Sequence, residues 1–208
     1  MAQTDPIKDK NQLKKLAEYW RVKGNLRNYL LIVLGVYTAL RISDLLRLTW
    51  TDVYDERRGE IRSHITVKEK KTGKLRTIAL NCQAIKALRL LFPHRRGAFI
   101  FVSNRKNALP ISRVQAWRII KAAAVAIGAT GRIACHSLRK VIGHFAWKAG
   151  VSPVLIMEIY GHSSYEVTRR YLGIAQAEYS VFLVQSERKR SAGLAEKTCA
   201  SGGKIVQR

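Results

Sequence analysis

The sequence predicts a mainly α-helical fold with a small antiparallel β-sheet, of the α+β class. Apolar residues recur at helical spacing over most of the chain, as in Leu13, Leu16 and Trp20. Between about residues 60 and 80 the apolar period changes to two, which predicts a β-hairpin across a Thr-Gly turn. A length of 208 residues fits one domain, or at most two small ones, with a buried core.

Start and stop signals place the elements of the N-terminal half. An amphipathic helix is predicted over residues 11–24, and an apolar helix follows over about 26–37. The segment RISDLLRLTW predicts a third helix with Ile42, Leu45 and Leu46 facing inward. Asn81 is suited to cap a further helix, which Pro93 ends.

The C-terminal half carries signals of the same kind. Residues 99–102 form an apolar run that predicts a short buried strand, and Ser112 is suited to cap the next helix. The segment CHSLRKVIGHFAWKAG predicts a helix, and Ser152-Pro153 begins another, because proline is favoured at the first helical position. Ser163 with Glu166 predicts a capping box, and a last helix is expected over residues 175–184.

Charge is the most unusual property of the chain. Its 38 Lys and Arg outnumber its 14 Asp and Glu, giving a net charge of +24, yet 47% of the residues are hydrophobic. The apolar fraction excludes a disordered polycation. A folded protein of this charge is expected to bind a polyanion, and nucleic acid is a better candidate than a membrane surface.

Cysteine content and hydropathy indicate the cellular compartment in which the protein is expected. Cys82, Cys135 and Cys199 are odd in number and widely spaced, which fits neither a disulfide framework nor a zinc site. The N-terminus lacks the apolar stretch of a signal peptide, and the longest apolar run, roughly residues 29–40, is too short to span a membrane. We therefore expect a cytoplasmic protein.

Among the basic residues is a group suited to contact a phosphate. His136 and Arg139 are three residues apart, so both lie on one face of a predicted helix, near its start, where the helix dipole favours an anion. The planar guanidinium of an arginine can bind two phosphate oxygens at once. Further along, His162 follows a glycine, and Tyr171 comes nine residues later.

These residues lie in segments that resemble the sequence boxes of the tyrosine recombinases, the phage integrase family. The segments are HSLR at 136–139, YGHSS at 160–164 and the T-x-x-Y that ends at Tyr171. Upstream, TALRISDLLRLTWTDV resembles the family's first arginine box, and KKTGK resembles its lysine box. All six of the family's catalytic residue types are present in its order: Arg41, Lys71, His136, Arg139, His162 and Tyr171.

The chain departs from the family pattern in three respects. Ala39 stands where the family usually has glycine, and Tyr160 stands where leucine usually precedes Gly-His. Members usually carry an N-terminal helical domain that closes over the other face of the DNA, and the 40 residues before Arg41 leave no room for one. We therefore expect either a short member, similar to the fimbrial phase-switch recombinases, or a catalytic fragment of a longer one.

The resemblance implies three parts along the chain. A polar N-terminal extension is expected over residues 1–10, and the catalytic domain over residues 11–186. Residues 187–208 are basic and rich in small side chains, and we expect them to be disordered.

The resemblance also implies a reaction. Tyr171 would attack a DNA phosphodiester and form a 3′-phosphotyrosyl link, after nearby cations had lowered its pKa or His136 had taken its proton. Arg41 and Arg139 would neutralise the non-bridging oxygens as charge develops on them, and His162 would hydrogen-bond the phosphoryl group.

Lys71 and Asp44 have supporting roles in this scheme. Lys71, at a mobile hairpin tip, would protonate the departing 5′ oxygen as general acid. Asp44 follows Arg41 by one helical turn and would orient it, or the two would form a simple i, i+3 ion pair. No cofactor and no metal are implied, because the carboxylates are scattered and the histidines lack zinc spacing.

Some of these assignments have competitors in the sequence. Lys70 or Lys74 could replace Lys71 as the acid. Only its spacing from His162 favours Tyr171 over the other tyrosines of this region, Tyr160, Tyr165 and Tyr179. Three further histidines, His64, His94 and His144, are expected to be structural.

Some of the same sequence features also fit other functions. A non-enzymatic DNA-binding regulator is the main alternative, because residues 149–171 place a capped helix, a glycine turn and a second capped helix in an order that resembles a helix-turn-helix. A type IB topoisomerase would share the chemistry without pairing two DNA sites. A peripheral membrane protein is disfavoured, because no helix sets a wholly apolar face against a basic one.

The partners implied by the resemblance are duplex DNA and other copies of the chain. Four copies would form a synaptic tetramer on DNA, while the free protein would be a monomer or a weak oligomer. Accessory DNA-bending proteins and an origin in a bacterium, phage or mobile element are further expectations. The helix over residues 175–184 would dock onto a neighbouring subunit or pack on its own core.

Overall fold

Helices form most of the chain that the structure describes, and two short antiparallel hairpins lie between them. The structure is a computed structural model that describes residues 4–104 and 109–174. The helices are α1 Lys10–Val22, α2 Leu26–Tyr37, α3 Ile42–Leu45, α4 Trp50–Val53, α5 Cys82–Leu91, α6 Arg113–Ala126, α7 Cys135–Lys148, α8 Pro153–Tyr160 and α9 Tyr165–Leu172. The strands are β1 Tyr54–Asp55, β2 Glu60–Ile61, β3 His64–Lys68 and β4 Leu75–Ala79. The predicted fold class, mainly α with small antiparallel sheets, is confirmed.

Side-chain caps determine where several helices begin. The Asn81 side chain accepts a hydrogen bond from the Ala84 backbone N–H at 2.9 Å, and Ser112 accepts from that of Gln115 at 3.1 Å, so both predicted caps are confirmed. The first helix begins one residue earlier than predicted, because Asp9 caps it.

The third predicted helix is divided into two short ones. The helix α3 ends at Leu45, and α4 begins at Trp50 with its own capping box, in which the Asp52 carboxylate accepts from the backbone N–H of Thr49 at 2.8 Å. This second start interrupts the helix that the apolar pattern predicted over the whole segment.

The predicted hairpin is present, with a shorter first strand. Strands β3 and β4 pair in antiparallel register, with Ile65 opposite Ile78, and buried and exposed residues alternate along β3. Ile61 belongs instead to β2, which pairs with β1 in a separate sheet. The predicted strand over residues 99–102 is wrong: Phe99 and Val102 form isolated bridges to two different segments, so no ladder develops.

The chain divides into two compact units, residues 1–145 and residues 146–208. In the first unit α2 is the central helix, because its residues are buried on every side. Leu30 and Leu34 pack in a cluster with α5 and the β3–β4 hairpin, while Ile32 and Val36 pack in a second cluster with α1, α6 and α7. Both clusters depend on this one apolar helix.

Residues 4–9 are attached to the first unit by specific contacts. Ile7 is fully buried, the Asp5 carboxylate accepts from the Arg132 backbone N–H at 2.8 Å, and the Lys140 ammonium donates to the Thr4 carbonyl at 2.6 Å. The extension expected over residues 1–10 is therefore polar in composition but packed where it is described. The helix expected over residues 175–184 and the tail expected over 187–208 lie outside the described residues.

The second unit contains α8 and α9, joined by a turn at Gly161. Gly161 has φ +64°, the left-handed conformation that ends a helix and favours glycine. The N-cap of α9 is Ser164, whose hydroxyl accepts from the Val167 backbone N–H at 3.3 Å. The predicted capping box of Ser163 with Glu166 is therefore wrong, since the helix begins one residue later.

No helix in residues 4–104 and 109–174 has the length and apolar character needed to cross a membrane.

Ala39, in the loop between α2 and α3, has a left-handed backbone with φ +50°. It is fully buried. For an alanine this conformation costs about 1–2 kcal/mol, a penalty that glycine does not have. The strain explains why a glycine is usual at this position in the family that the sequence resembles.

We expect Ala39→Gly to leave the free energy of unfolding nearly unchanged, because relief of strain offsets the lost methyl burial and the added chain entropy. Ala123, equally buried but inside the helix α6, is the matched control. Ala123→Gly should cost about 1.5–2 kcal/mol, since methyl burial and helix propensity are both lost there. Urea unfolding of both variants gives the comparison, and equal losses would contradict strain at Ala39.

Candidate active site

Arg41 lies at the N-cap of α3, directly after the strained loop. Its guanidinium Nη1 is 2.7 Å from the Glu69 carboxylate Oε2. About a fifth of the Arg41 side chain remains accessible to solvent. Arg41 is therefore held by a buried carboxylate and still has surface available for an anion.

Arg139 is a buried residue in the first half of α7. Its guanidinium Nη1 donates a hydrogen bond to the carbonyl of Ala39, two residues before Arg41. This approach of α7 to α2 depends on Gly35, since a Cβ there would lie 2.8 Å from the Leu138 Cδ1. Gly35 thus allows Leu138, the residue beside Arg139, to pack closely against α2.

His136 lies in the first turn of α7, three residues before Arg139. Desolvation by the surrounding protein, followed by the positive charges of Arg139, Lys140 and Arg41, lowers the pKa of its imidazole below the ordinary value of 6.5. The same charges show that Arg41, His136 and Arg139 form one electrostatic neighbourhood. A neutral imidazole there can accept a proton.

Cys135, the residue before His136, does not compete as a nucleophile. Burial raises the pKa of its thiol to about 11, so the thiol stays protonated at neutral pH.

Lys71 lies in the turn between β3 and β4, and its side chain is exposed. The residues on either side of it are held in place. The Lys70 backbone N–H donates to the Asp44 carboxylate at 3.0 Å, and the Thr72 hydroxyl donates to the Glu69 carboxylate at 2.8 Å. The hairpin tip is expected to be mobile, and in the structure both residues that flank Lys71 are hydrogen-bonded to carboxylates.

Lys70 and Lys74, the competing candidates for the acid, are exposed in the same turn. Exposure therefore does not separate the three lysines. Lys71 is the one that lies between the two attached residues.

Asp44 has a different contact from the one expected. It is buried in α3, and its carboxylate faces the Lys70 backbone N–H of the hairpin. Among the described residues the carboxylate that pairs with Arg41 is Glu69, and no ion pair joins Arg41 to Asp44. The longer Glu69 side chain reaches the guanidinium, while the shorter Asp44 side chain is already engaged by the turn.

Glu69 is the site residue that the sequence reasoning missed. It is about 5% exposed, and it lies within 4 Å of Arg41 on one side and of Arg76 on the other. Burial raises its pKa, but hydrogen bonds from Arg41 and Thr72 and the charges of Arg41 and Arg139 outweigh burial and leave the pKa below its ordinary value.

A signal for Glu69 was present in the sequence. Ile65 and Val67 point inward on β3, and the period of two places Glu69 on the same face. An acid on an inward position, among the lysines of KEKKTGK, requires a buried cationic partner.

His162 and Tyr171 lie together in the second unit. Their rings are 5.2 Å apart at their centroids in an edge-to-face arrangement, and the His162 Nδ1 lies 3.0 Å from the Thr168 hydroxyl. Tyr160 stacks on His162 at 5.3 Å and meets Tyr171 at 5.1 Å. An aromatic cluster therefore holds both predicted residues at the junction of α8 and α9.

Residue burial separates Tyr160 from the other competing tyrosines of the described region. Tyr160 is fully buried and packs within the aromatic cluster, whereas Tyr171 is half-buried. Tyr165 is also half-buried, and its ring stacks on Trp147 at 6.2 Å. The hydroxyl oxygens of Tyr165 and Tyr171 are both buried, so burial does not decide between these two. Tyr179 lies outside the described residues.

The six predicted residues fall into two groups. Arg41, Lys71, His136 and Arg139 belong to the first unit, and His162 and Tyr171 belong to the second. The first group is a cationic site of two arginines and a neutral imidazole, beside a lysine turn. The second group offers a phenol beside an imidazole. Over residues 4–104 and 109–174 the structure contains no cluster of three or more His, Cys, Asp or Glu that could hold a metal ion.

Known proteins that are similar to this chain include an integrase/recombinase, a fimbrial regulatory protein and a tyrosine recombinase. The probable integrase/recombinase YoeC of Bacillus subtilis (strain 168) is 33% identical over 183 residues, which cover 85% of this chain and 96% of that protein. The type 1 fimbriae regulatory protein FimE of Escherichia coli (strain K12) is 30% identical over 74% of this chain and 78% of its own length. The tyrosine recombinase XerA of Pyrococcus furiosus is 29% identical over 77% of this chain, which spans about half of XerA, 54%.

Solved structures share the fold. The crystal structure of XerA recombinase superposes with a TM-score of 0.69 at 22% identity, over 88% of this chain and 66% of that one. The Tn1549 transposon integrase, solved in complex with transposon right end DNA, gives a TM-score of 0.68 at 22% identity, over 94% of this chain and 67% of that one. The family model described as phage integrase family matches residues 8–178. The chain therefore belongs to the phage integrase family.

Proposed function

We propose that the protein is a site-specific tyrosine recombinase, which cleaves and rejoins DNA strands through a 3′-phosphotyrosyl intermediate. The observation that carries this proposal is the pairing of Arg41 and Arg139 from distant parts of the chain at one loop, with His136 in the same neighbourhood. Family membership supports it, and so do the names of the relatives, a probable integrase/recombinase and a tyrosine recombinase.

The two arginines would supply most of the electrostatic stabilisation. Enzymes that cleave phosphodiesters lower the barrier by up to about 23 kcal/mol. Guanidinium groups fixed before the reaction stabilise the charge that develops on the non-bridging oxygens without a cost of reorganisation. The buried position of Arg139 and the ion pair of Arg41 are the features that fix them here.

Tyr171 would be the nucleophile and Lys71 the general acid. The phenol attacks the phosphorus, the 5′ oxygen leaves with a proton from Lys71, and the phosphodiester energy is kept in the covalent link. His136, neutral at pH 7, would take the phenol proton, and His162 would hydrogen-bond a phosphoryl oxygen. A second 5′-hydroxyl then reverses the step on another strand.

Duplex DNA and other copies of the chain would be the partners. The neighbouring structures include a lambda integrase tetramer bound to a Holliday junction, with a TM-score of 0.60. We propose a similar synaptic tetramer for this protein, formed on DNA from weakly associating subunits, with accessory DNA-bending proteins at some sites. It would act in the cytoplasm of a bacterium, on chromosomal, phage or mobile-element DNA.

A DNA-binding regulator without enzymatic activity explains less. The α8–turn–α9 segment has the helix order that suggested it, and FimE is named a regulatory protein. A regulator needs no arginines fixed at one loop, however, and no phenol beside an imidazole. A type IB topoisomerase would use the same groups and would relax DNA without pairing two sites.

Tyr171→Phe should abolish the covalent protein–DNA adduct while DNA binding is retained, because only the nucleophilic oxygen is removed. A nicked suicide duplex traps the adduct for detection by denaturing gel. Tyr165→Phe removes a hydroxyl from the same helix and is the matched control. An adduct formed by Tyr171→Phe would contradict the assignment.

The imidazole of His136 should titrate with a midpoint below 6.5, because burial and the cations Arg139, Lys140 and Arg41 disfavour its protonated form. Since the folded state binds this proton less tightly than the unfolded chain, acidification through pH 6.5 and below should lower the stability contributed by this group. NMR titration of the ring C–H signals, assigned with His136→Gln, measures the midpoint. A midpoint above 6.5 would show that the cations do not act on this ring.

DNA affinity should fall steeply with salt, because most of the charge of +24 is expected to contact the DNA backbone. With six or more phosphates contacted, binding should weaken roughly 10³-fold or more between about 50 and 200 mM salt. Fluorescence anisotropy with a labelled duplex measures the slope. A flat response would mean that few phosphates are contacted.

A further inference from the structure

Glu69 carries a negative charge in the site that we propose binds a DNA phosphate. The carboxylate and the phosphate would repel each other, so the position of Glu69 requires an explanation. Its carboxylate is about 6% exposed and is bonded on more than one side. Oε2 lies 2.7 Å from the Arg41 Nη1 and accepts from the Thr72 hydroxyl at 2.8 Å, and Oε1 lies 3.7 Å from the Arg76 Nη1. One side chain thus joins the N-terminus of α3, the lysine turn and strand β4.

We propose that Glu69 is a positioning residue, which sets the phosphate-binding Arg41 and the turn that carries Lys71 in a fixed relation to each other. The inference rests on the proposed function. Neither the sequence boxes nor the comparisons assign a role to this residue.

A single oxygen of Glu69 makes both contacts. Oε2 lies 2.7 Å from the Arg41 Nη1 and accepts a hydrogen bond from the Thr72 hydroxyl, and Thr72 is the residue next to Lys71. Any displacement of the turn therefore strains the arginine contact as well. A contact of this kind couples two groups that would act on different oxygens of the same phosphate.

Asp44 holds the other flank of the turn. Its carboxylate accepts from the Lys70 backbone N–H at 3.0 Å, and Asp44 belongs to the helix that Arg41 begins. Lys71 is therefore attached on both sides to the α3 segment, while its own side chain stays exposed. An acid on a fixed backbone with a free side chain can reach a leaving group from a defined position.

Glu69 leaves Arg41 able to bind an anion. A guanidinium has five N–H donors, and the ion pair with Glu69 engages Nη1. The Arg76 Nη1 lies 3.7 Å from Glu69, and the charge of Arg139 also acts on this carboxylate. The surroundings of Arg41 therefore remain positively charged while Glu69 is ionised. Glu69 orients the arginine without neutralising the site.

The test compares two variants on two substrates. Glu69→Gln removes the charge, and Thr72→Val removes only the hydroxyl that joins the turn to Glu69. Glu60→Gln, at an exposed position of β2, makes the same change of net charge and is the matched control. Each is assayed for the rate of adduct formation on a nicked suicide duplex and on the same duplex with sulfur in place of the bridging 5′ oxygen.

The sulfur substrate does not need the general acid, since a thiol has a pKa of about 8.5 and leaves as the thiolate. On the ordinary duplex we expect both variants to be slowed roughly tenfold or more, as part of the 10²–10⁴-fold that a general acid contributes is lost. On the sulfur duplex Thr72→Val should recover to within about threefold of the wild type. Glu69→Gln should recover partly, because Arg41 is still needed there.

Two results would overturn the proposal. One is an adduct rate on the ordinary duplex equal to that of Glu60→Gln for both variants, and the other is a defect of equal size on both substrates. If Glu69→Gln does not fold by circular dichroism, Thr72→Val alone decides, since it keeps the buried ion pair. A wild-type protein that forms no adduct on either duplex would instead contradict the proposed function.

Discussion

The buried ion pair between Arg41 and Glu69 is the interaction on which the first half of the candidate site depends. Leaving either charge buried without the other costs about 3–5 kcal/mol, so the two side chains are held together by a penalty as much as by attraction. They lie 28 residues apart in sequence, on α3 and at the end of β3. Their contact therefore fixes the hairpin against the helical part of the unit, and the lysine turn with it.

The helix α2 places the second arginine at the same loop. Leu138 packs so closely on Gly35 that a Cβ there would require it to shift, and the next residue, Arg139, donates to the carbonyl of Ala39. That carbonyl is presented by a left-handed backbone, which is strained for alanine. A close helix contact and a strained turn thus lie side by side at the site, where such strain is commonly found.

Local patterns allowed much of this to be predicted from the sequence. The helical phase that puts His136 and Arg139 on one face, the caps Asn81 and Ser112 and the hairpin turn all arise within a few residues. The partner of Arg41 could not be found in this way, because helical spacing points to Asp44 and only the tertiary fold brings Glu69 nearer. The start of α9 was misplaced by one residue for a smaller reason: Ser163 and Ser164 are equally good caps by type, and the turn at Gly161 selects the second.

Charge balance explains why an acid is tolerated beside a phosphate site. Glu69 keeps its negative charge at neutral pH, because its pKa is lowered by Arg41, Thr72 and Arg139 against the effect of burial. Arg41, Arg76 and Arg139 outnumber the carboxylates of Glu69 and Asp44, so an excess of positive charge remains around the proposed phosphate site. A phosphodiester carries one negative charge in the ground state, and a second develops as the phenol attacks. Positive charge fixed in advance would stabilise that developing charge, which is the condition for catalysis over mere binding.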